Sequence, residues 1–147
     1  MKIAIGCDEA AFDMKETIRK YLEEKGHEMI DCGTYDKNPV LYPDIAVKTA
    51  RKITSGEAER GILICGTGIG MAISANKVPG IRAAVCHDSF STERSRKSND
   101  AQIMCMGARV IGIELAKQLV DIWLKCEFAG GGSTAKVERI NYYDQTL

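Results

Sequence analysis

The stretch Arg60–Gly70, which reads RGILICGTGIG, constrains the fold of this chain more than any other segment. Its short apolar run, Ile62–Ile64, is rich in β-branched residues and is typical of a strand buried on both faces of a parallel sheet. Cys65 follows that strand, glycines then stand at every second position, and residues 71–77 read as a helix. A strand, a glycine-rich turn and a helix N-terminus favour a bound anion, because the turn exposes N–H groups beside the positive end of the helix dipole.

Length and composition restrict the possible classes of function. The 147 residues suit a single domain, predicted to span residues 1–147, with a full hydrophobic core. Twenty acidic and twenty basic residues give no net charge, so nothing favours a nucleic-acid or membrane partner. No apolar run is long enough to span a bilayer, and the N-terminus leads directly into a strand without a signal-peptide pattern. These features predict a cytoplasmic protein.

The cysteine pattern bears on metals and redox state. Six cysteines are spread along the chain without a Cys-x-x-Cys pair. In a chain without an export signal, we expect reduced thiols rather than a disulfide framework. Only His27 and His87 could add imidazole ligands, so no metal site is expected.

Strands and helices are expected to alternate along the chain. This alternation predicts an α/β fold, a single-domain three-layer α/β/α sandwich with a five-stranded parallel Rossmann-like sheet. The expected buried positions are Ile45, Val47 and Ile53 in the second helix, and Leu115, Leu119, Ile122 and Trp123 in the fifth. The predicted strands are Lys2–Gly6, Met29–Cys32, a strand through Ile62–Ile64, Ile81–Cys86 and Ile103–Met106. The predicted helices are one from Asp8 to Gly26, one that starts at Tyr42, Met71–Lys77, Ser89–Asn99, Gly112–Cys126 and one near Thr134–Tyr143.

Polar residues follow several predicted strands. Asp8, Cys65, His87 and Arg109 each come at or just after a strand end. Ligands of parallel α/β sheets bind beyond the carboxyl ends of the strands. We therefore expect these side chains to converge at one edge of the sheet.

Three known phosphate-binding patterns fit the glycine-rich turn poorly. A P-loop requires a Lys that is missing here, and a Cys-based phosphatase loop requires an Arg where Met71 stands. A dinucleotide fingerprint is the nearest alternative, since Gly66 and Gly68 fit it and Asp88 stands where a ribose-binding acid belongs. Its third small residue, however, would be at Met71, whose bulk hinders close packing of helix on strand.

The chemistry that suits this turn is proton transfer next to a carbonyl. Moving a carbonyl between C1 and C2 of a sugar requires a base for a carbon-bound proton and donors for the enediolate oxygens. The positive end of a helix dipole beside Cys65 suits a thiol that acts as the base. Thr67 can pass a proton between the substrate oxygens, and the backbone amides of Gly66–Gly70 can stabilise the developing charge. This reaction requires no metal or cofactor.

The chain resembles the ribose-5-phosphate isomerase B family, which also includes galactose-6-phosphate isomerase subunits and related pentose and tetrose phosphate isomerases. The Cys-Gly-Thr-Gly block, followed by Ala-Asn-Lys ahead of Gly-Ile-Arg, carries the most specific part of the resemblance. The matching segments are Gly6–Ala10, Asp31–Thr34, Tyr42–Asp44, Ile64–Gly70, Ala75–Arg82, Ser98–Ala101 and Gly107–Val110.

The resemblance implies an aldose–ketose isomerase and assigns roles to individual residues. Cys65 resembles the catalytic base and Thr67 the proton shuttle, and the position of Ser98 is that of the ring-opening acid. Arg109 resembles a phosphate ligand that reaches in from a neighbouring subunit. A homodimer, or a tetramer of paired dimers, is implied, with the break and helix of residues 129–147 reaching the partner subunit. The implied substrate-binding residues are Asp8, Glu9, Tyr42, Gly66, Gly68, Ile69, Gly70, Asn99, Arg109 and Lys136.

The sequence also departs from the family pattern. Glu9 and Ser98 stand where ribose-phosphate members usually carry histidines, and Gly132, Ser133 and Lys136 replace an Arg-His pair and a second Arg. Lys keeps the charge of Arg but loses bidentate phosphate contacts. These changes leave the substrate open among ribose 5-phosphate, an open-chain tetrulose phosphate, galactose 6-phosphate and a sugar without phosphate.

Other functions stay open at this stage. A non-catalytic nucleotide-binding module would use the same sheet, and an isomerase-like subunit could require a second type of chain for activity. His87 could replace the lost imidazole, although a plain surface histidine is the simpler interpretation. The other five cysteines are expected to be inert thiols of the core and loops.

Overall fold

A five-stranded parallel sheet forms the centre of the protein. The computed structural model describes residues 1–147. The strand order is β2-β1-β3-β5-β4, and every neighbouring pair is parallel. The predicted fold class is confirmed. The strands are β1 (Lys2–Cys7), β2 (Glu28–Asp31), β3 (Arg60–Cys65), β4 (Ala83–Val85) and β5 (Ile103–Gly107).

Helices pack on both faces of the sheet. Helices α1 and α5 pack on one face, where Ile18 and Trp123 join the larger hydrophobic core. Helices α2 and α3 pack on the other face, where Ala50 and Met71 join a second core. No helix combines the length and the apolar character needed to cross a bilayer. The helices are α1 (Phe12–Glu24), α2 (Tyr42–Thr54), α3 (Ile69–Ala75), α4 (Ser89–Lys97), α5 (Ile113–Lys125) and α6 (Thr134–Thr146), with short 3₁₀ turns at Glu9–Ala11 and Gly131–Ser133.

The buried face of α2 differs from the predicted one. Small residues, Ala46, Thr49 and Ala50, are fully buried, whereas Ile45, Val47 and Ile53 are only partly buried. The helix lies so close to β1 that a Cβ on Gly6 would be 2.7 Å from Cγ2 of Ile45 and 2.8 Å from Oγ1 of Thr49. The small side chains therefore fill the centre of the contact. Ile45, Val47 and Ile53 pack around it against the second core and stay partly exposed.

Helix α5 shows a smaller deviation of the same kind. Leu119 and Trp123 are fully buried as predicted, but Leu115 is 38% exposed and Ile122 is only partly buried. The stripe that faces the sheet also includes Ala116 and Val120. Because successive helical residues are ~100° apart, a shift of one position turns Leu115 to the side of the contact.

The two edges of the sheet carry different sets of polar residues. The four polar residues predicted at the carboxyl edge are found there: Cys65 is the last residue of β3, and Asp8, His87 and Arg109 follow the ends of their strands. Residues 98–102 instead precede β5 and lie at the amino edge. At about 3.3 Å per residue, the five residues of β5 separate the two edges by roughly 16 Å.

Candidate active site

The glycine-rich loop rests on the carboxyl end of β5. Gly68 has φ 79°, and a Cβ there would be 2.9 Å from the carbonyl carbon of Met106. A Cβ on Gly107 would be 2.7 Å from the backbone of Thr67. The backbone amides of Ala108 and Arg109 donate to the carbonyl oxygens of Cys65 and Gly66 at 2.8 and 3.0 Å. Only glycine fits at these contacts, so the loop is locked to the neighbouring strand.

Cys65 lies beneath this loop. Its side chain is 5% exposed, and Sγ accepts a hydrogen bond of 3.1 Å from the Gly68 amide. An N–H that points at the sulfur favours negative charge there. Thr67 is exposed beside it, and its Oγ1 accepts from the Ile69 amide at 3.3 Å. A thiol and a hydroxyl thus lie together at the start of α3, as the sequence predicted.

Burial distinguishes several of the other thiols. All six cysteines are free and buried. Desolvation raises the pKa of Cys7 to about 12, although Lys15 partly opposes the shift. Desolvation also raises the pKa of Cys32, Cys86 and Cys105. These four cysteines remain neutral thiols near pH 7, in agreement with the expected inert role.

Asp8 and Arg109 both lie on the same side of the loop. Asp8 Oδ1 accepts from the Ala11 amide at 3.1 Å, and desolvation raises the pKa of Asp8, with a smaller opposing effect from Arg109. The Arg109 side chain lies beside Gly66, where a Cβ would be 3.6 Å from its Nη1. Within its own chain the Arg109 side chain thus lies against the loop, and its expected reach into a neighbouring subunit stays a prediction.

Tyr42 covers the end of the loop at Gly70, and Glu9 lies next to Asp8. The Tyr42 ring covers Gly70 so closely that no Cβ would fit between them. Glu9 Oε2 accepts a hydrogen bond of 3.2 Å from the Val40 amide, just before α2. The Glu9 carboxylate is therefore partly occupied in holding the segment that leads to Tyr42.

His87 holds the end of β5. Its Nε2 accepts a hydrogen bond of 2.9 Å from the Gly107 amide, so this nitrogen carries no proton. Desolvation lowers the pKa of His87, although Asp88 partly opposes the shift. A neutral ring whose Nε2 is already occupied is poorly suited to act as an acid. This geometry argues against the suggestion that His87 replaces the missing imidazole.

Three residues that the resemblance assigned to the site lie away from Cys65 of the same chain. Ser98 and Asn99 precede β5, so they lie at the amino ends of the strands, whereas the glycine-rich loop lies at the carboxyl ends. Lys136 is exposed on α6. Helix α6 contacts this amino edge through Asn141, whose Oδ1 accepts from Arg82 at 2.7 Å. One chain therefore holds two separate groups of candidate residues.

Sequence reasoning missed two features of the site. Gly107 was noted only as part of a matching segment, and its close contact with Thr67 was not predicted, although a glycine at the end of a strand often marks a close backbone approach. The role of His87 as an acceptor had no signal in the sequence, because it depends on β4 and β5 being neighbours. The structure brings no group of three His, Cys, Asp or Glu side chains together that could hold a metal ion.

Comparison with known proteins places this geometry in a family. The family model described as Ribose/Galactose Isomerase matches residues 3–140. The D-erythrulose-4-phosphate isomerase of Pectobacterium atrosepticum is 56% identical over 147 residues, covering 98% of this chain and 95% of that protein. The ribose-5-P isomerase B of Listeria innocua is 57% identical over 145 residues, covering 99% of this chain and 98% of that protein.

Solved structures agree with the sequence comparison. Ribose-5-phosphate isomerase B of Clostridium thermocellum has a TM-score of 0.98 at 48% identity, covering 99% of both chains. The enzyme of Thermotoga maritima has a TM-score of 0.94 at 45% identity, covering 96% of this chain and 97% of its own. The resemblance inferred from the motifs is confirmed, and the chain belongs to the Ribose/Galactose Isomerase family.

Proposed function

We propose that this protein is an aldose–ketose isomerase that interconverts an aldose phosphate and a ketose phosphate through an enediolate, with Cys65 as the base. The observation that carries this proposal is the Cys65 thiol under the glycine-rich loop, with the Gly68 amide directed at its sulfur at 3.1 Å. A small, fixed base beside backbone donors is what proton transfer next to a carbonyl requires. Family membership supports the same reaction.

Each proton in the proposed reaction has a defined path. The Cys65 thiolate removes the proton from the carbon next to the carbonyl, and the electron pair moves to form the enediolate. Thr67 Oγ1 then transfers a proton between O1 and O2, and the Cys65 thiol returns its proton to the neighbouring carbon. The Gly68 amide already donates to Sγ of Cys65, and the Ile69 amide already donates to Oγ1 of Thr67. The donors left in the loop for the substrate oxygens are therefore the amides of Gly66, Thr67 and Gly70.

The phosphate and the remaining polar contacts require a second copy of the chain. Ser98 and Asn99 lie roughly 16 Å from their own Cys65 edge, by the rise of about 3.3 Å per residue along β5. A two-fold symmetric dimer would let each chain present these residues and Lys136 to the Cys65 of its partner, while Arg109 acts within its own chain. Apolar side chains beside the loop, Ile69 at 56% and Ile73 at 58% exposed, suit burial in such an interface.

For the substrate, we infer a preference for a four-carbon sugar phosphate. The hydroxyl that would close a five-membered ring is esterified in a tetrose 4-phosphate, so this substrate is already open. Ser98 in place of an imidazole is sufficient for it, and the neutral, hydrogen-bonded His87 offers no replacement acid. Relatives named D-erythrulose-4-phosphate isomerase, from Pectobacterium at 56% and Mycolicibacterium at 49% identity, support this choice.

Ribose 5-phosphate is the second candidate substrate. Proteins named ribose-5-phosphate isomerase B, from Listeria at 57% and Escherichia coli at 45% identity, favour it. Glu9 opposes a phosphate near its carboxylate, but its hydrogen bond to Val40 directs part of that charge away from the loop. The two candidates therefore differ mainly in the need for ring opening.

The reaction is tested by isomerisation in D₂O, followed by NMR with tetrulose, pentose and hexose phosphates and the corresponding free sugars. A base that exchanges its proton with solvent leaves deuterium on C1 or C2 of the product. We expect this label, and the highest kcat/KM with the four-carbon phosphate. Turnover without label, combined with an unchanged rate of Cys65→Ala, would contradict the enediolate route. Absence of turnover on every sugar would contradict the isomerase assignment.

A further inference from the structure

The turn that carries Asn99 has an unusual backbone. Asp100, the next residue, has φ 50° and is the only non-glycine residue of the chain with a positive φ. Asp is one of the few residues that tolerate this left-handed conformation, although it still costs free energy relative to glycine. Such a conformation persists where the surroundings fix it, and residues of this kind cluster at functional sites.

Two arginines hold this turn in place. Arg82 Nε donates to the carbonyl oxygens of Asn99 and Asp100 at 3.2 and 3.0 Å, and its Nη2 lies 3.5 Å from Asp100 Oδ2. Arg96 Nη1 donates to Asp100 Oδ1 at 3.1 Å. The two side chains are only 14% and 7% exposed, so these contacts are well shielded from solvent.

Arg82 also connects the turn to the C-terminal helix. Its Nη1 donates to Oδ1 of Asn141 in α6 at 2.7 Å, and its backbone amide donates to Oε1 of Gln102 at the same distance. Lys136 lies on that helix. A single guanidinium thus joins the segment that bears Ser98 and Asn99 to the helix that bears Lys136.

We propose that Arg82 is a positioning residue for the isomerase reaction. Arg82 holds Asn99 and α6 in a fixed relative position, and together they complete the Cys65 site of the partner subunit. This inference rests on the proposed function, because it requires a site shared between two chains. Arg82 touches no reacting atom in this scheme. It acts through the turn and the helix. Its planar, forked donors bind acceptors on three residues, Asn99, Asp100 and Asn141, which the point charge of a Lys would not hold together.

The first test compares the kinetics of single variants. Arg82→Ala is expected to lower kcat by about 10²-fold, as small displacements of positioned groups do, and Arg82→Lys to restore only part of it. Asn141→Ala, which cuts only the link to α6, should chiefly raise KM. Arg51→Ala, an exposed arginine on α2 with no side-chain partner, is the matched control and should keep full activity. Full activity of Arg82→Ala would overturn the proposal.

The second test uses hybrid dimers with a differently tagged chain of each kind. In a hybrid dimer, one chain carries Cys65→Ala and the other carries Arg82→Ala. One of its two sites combines the intact Cys65 of the Arg82→Ala chain with the intact turn of the Cys65→Ala chain, whereas the other site lacks both. We expect one active site per dimer, although both parent dimers are nearly inactive. A merely structural defect in the Arg82→Ala chain would leave this hybrid inactive. If Arg82→Ala fails to fold, Asp100→Asn takes its place.

A hybrid of Cys65→Ala with Asn99→Ala separates this inference from the proposed function. If it regains activity and the Arg82 hybrid does not, Arg82 does not serve the partner's site and the inference is wrong. If the Asn99 hybrid also stays inactive, the shared site itself is wrong. Recovery of activity in both hybrids supports the role of Arg82.

Discussion

The sulfur of Cys65 accepts a 3.1 Å hydrogen bond from the backbone amide of Gly68, three residues further along the chain. This contact closes the glycine-rich loop over the thiol and fixes the sulfur relative to the amides that would hold the substrate. It depends on the left-handed conformation of Gly68, with φ 79°. The chemistry of the site and the backbone of the loop are therefore coupled.

The first prediction concerns the base. Cys65→Ala should lower kcat by at least ~10²-fold, the range expected when a general base is removed. The change removes one sulfur from a small contact, so the fold and substrate affinity should persist. Steady-state kinetics, circular dichroism and isothermal titration with the substrate check these points. Cys126 is a buried thiol whose carbonyl oxygen accepts from Arg60 at the start of β3, so it lies at the opposite edge of the sheet. Cys126→Ala is therefore the control and should remain active. Retention of more than a tenth of the rate by Cys65→Ala would show that another group is the base.

The second prediction compares two glycines with similar backbone angles. Gly56 has φ 82° and open space around its Cβ position, whereas Gly68 has φ 79° and a Cβ there would meet the Met106 backbone at 2.9 Å. Gly56→Ala should lower the free energy of unfolding by about 1 kcal/mol through the backbone angle alone. Gly68→Ala should lower it by about 3 kcal/mol, because steric overlap is added, and should also abolish activity. Urea denaturation and kinetics measure both effects. Equal losses of stability would contradict the close packing of the loop on β5.

The third prediction concerns the pH dependence of stability. Desolvation lowers the pKa of His87 in the folded state. Below about pH 6.5, the unfolded chain therefore binds more protons at this residue than the folded chain does, so the free energy of unfolding should fall as the pH decreases. His87→Gln keeps an acceptor for the Gly107 amide without a titrating ring and should flatten this decrease. Urea denaturation at several pH values between about 5 and 8 measures the slope. An unchanged slope in the variant would assign the pH dependence to other groups.

The glycine-rich loop was predictable from sequence because its determinants are local. The strand, Cys65 at its end, the alternating glycines and the helix that follows all come from one short segment. The convergence of Asp8 with Cys65 was predictable for a similar reason, since both follow strands of a parallel sheet.

Other features depend on which elements become neighbours. The insertion of β5 between β3 and β4 brings Gly107 against Thr67 and His87, and no periodic pattern encodes that order. The chain that Arg109 serves stays a prediction, because a residue's place in a motif does not tell on which subunit it acts. The position of Asn99 at the amino edge could have been inferred, because it precedes a predicted strand rather than following one.

The last prediction concerns Ser98 and the form of the substrate. Ribose 5-phosphate is mostly a closed ring in water, and a proton must move from a ring hydroxyl to the ring oxygen before C2 becomes acidic. A Ser hydroxyl transfers protons poorly near neutral pH, whereas an imidazole titrates close to it. We therefore expect Ser98→His to raise kcat/KM on ribose 5-phosphate by about 10-fold or more, with little change on an open tetrulose phosphate.

Measurement of kcat/KM for both substrates in both proteins decides this point, and Ser98→Ala is the matched control. Because the open substrate needs no ring opening, Ser98→Ala should leave its rate nearly unchanged. Hybrid dimers of Ser98→His with Cys65→Ala add a test of geometry. If Ser98 serves the partner's Cys65, a chain that carries both Ser98→His and Cys65→Ala, paired with a wild-type chain, should show the gain on ribose 5-phosphate, because its new imidazole faces the intact thiol of the wild-type chain. With the two changes on different chains, the new imidazole faces the Cys65→Ala site and no gain should appear. Equal gains on the two substrates, or a wild-type enzyme that is already fast on ribose 5-phosphate and unaffected by Ser98→Ala, would show that position 98 does not open the ring.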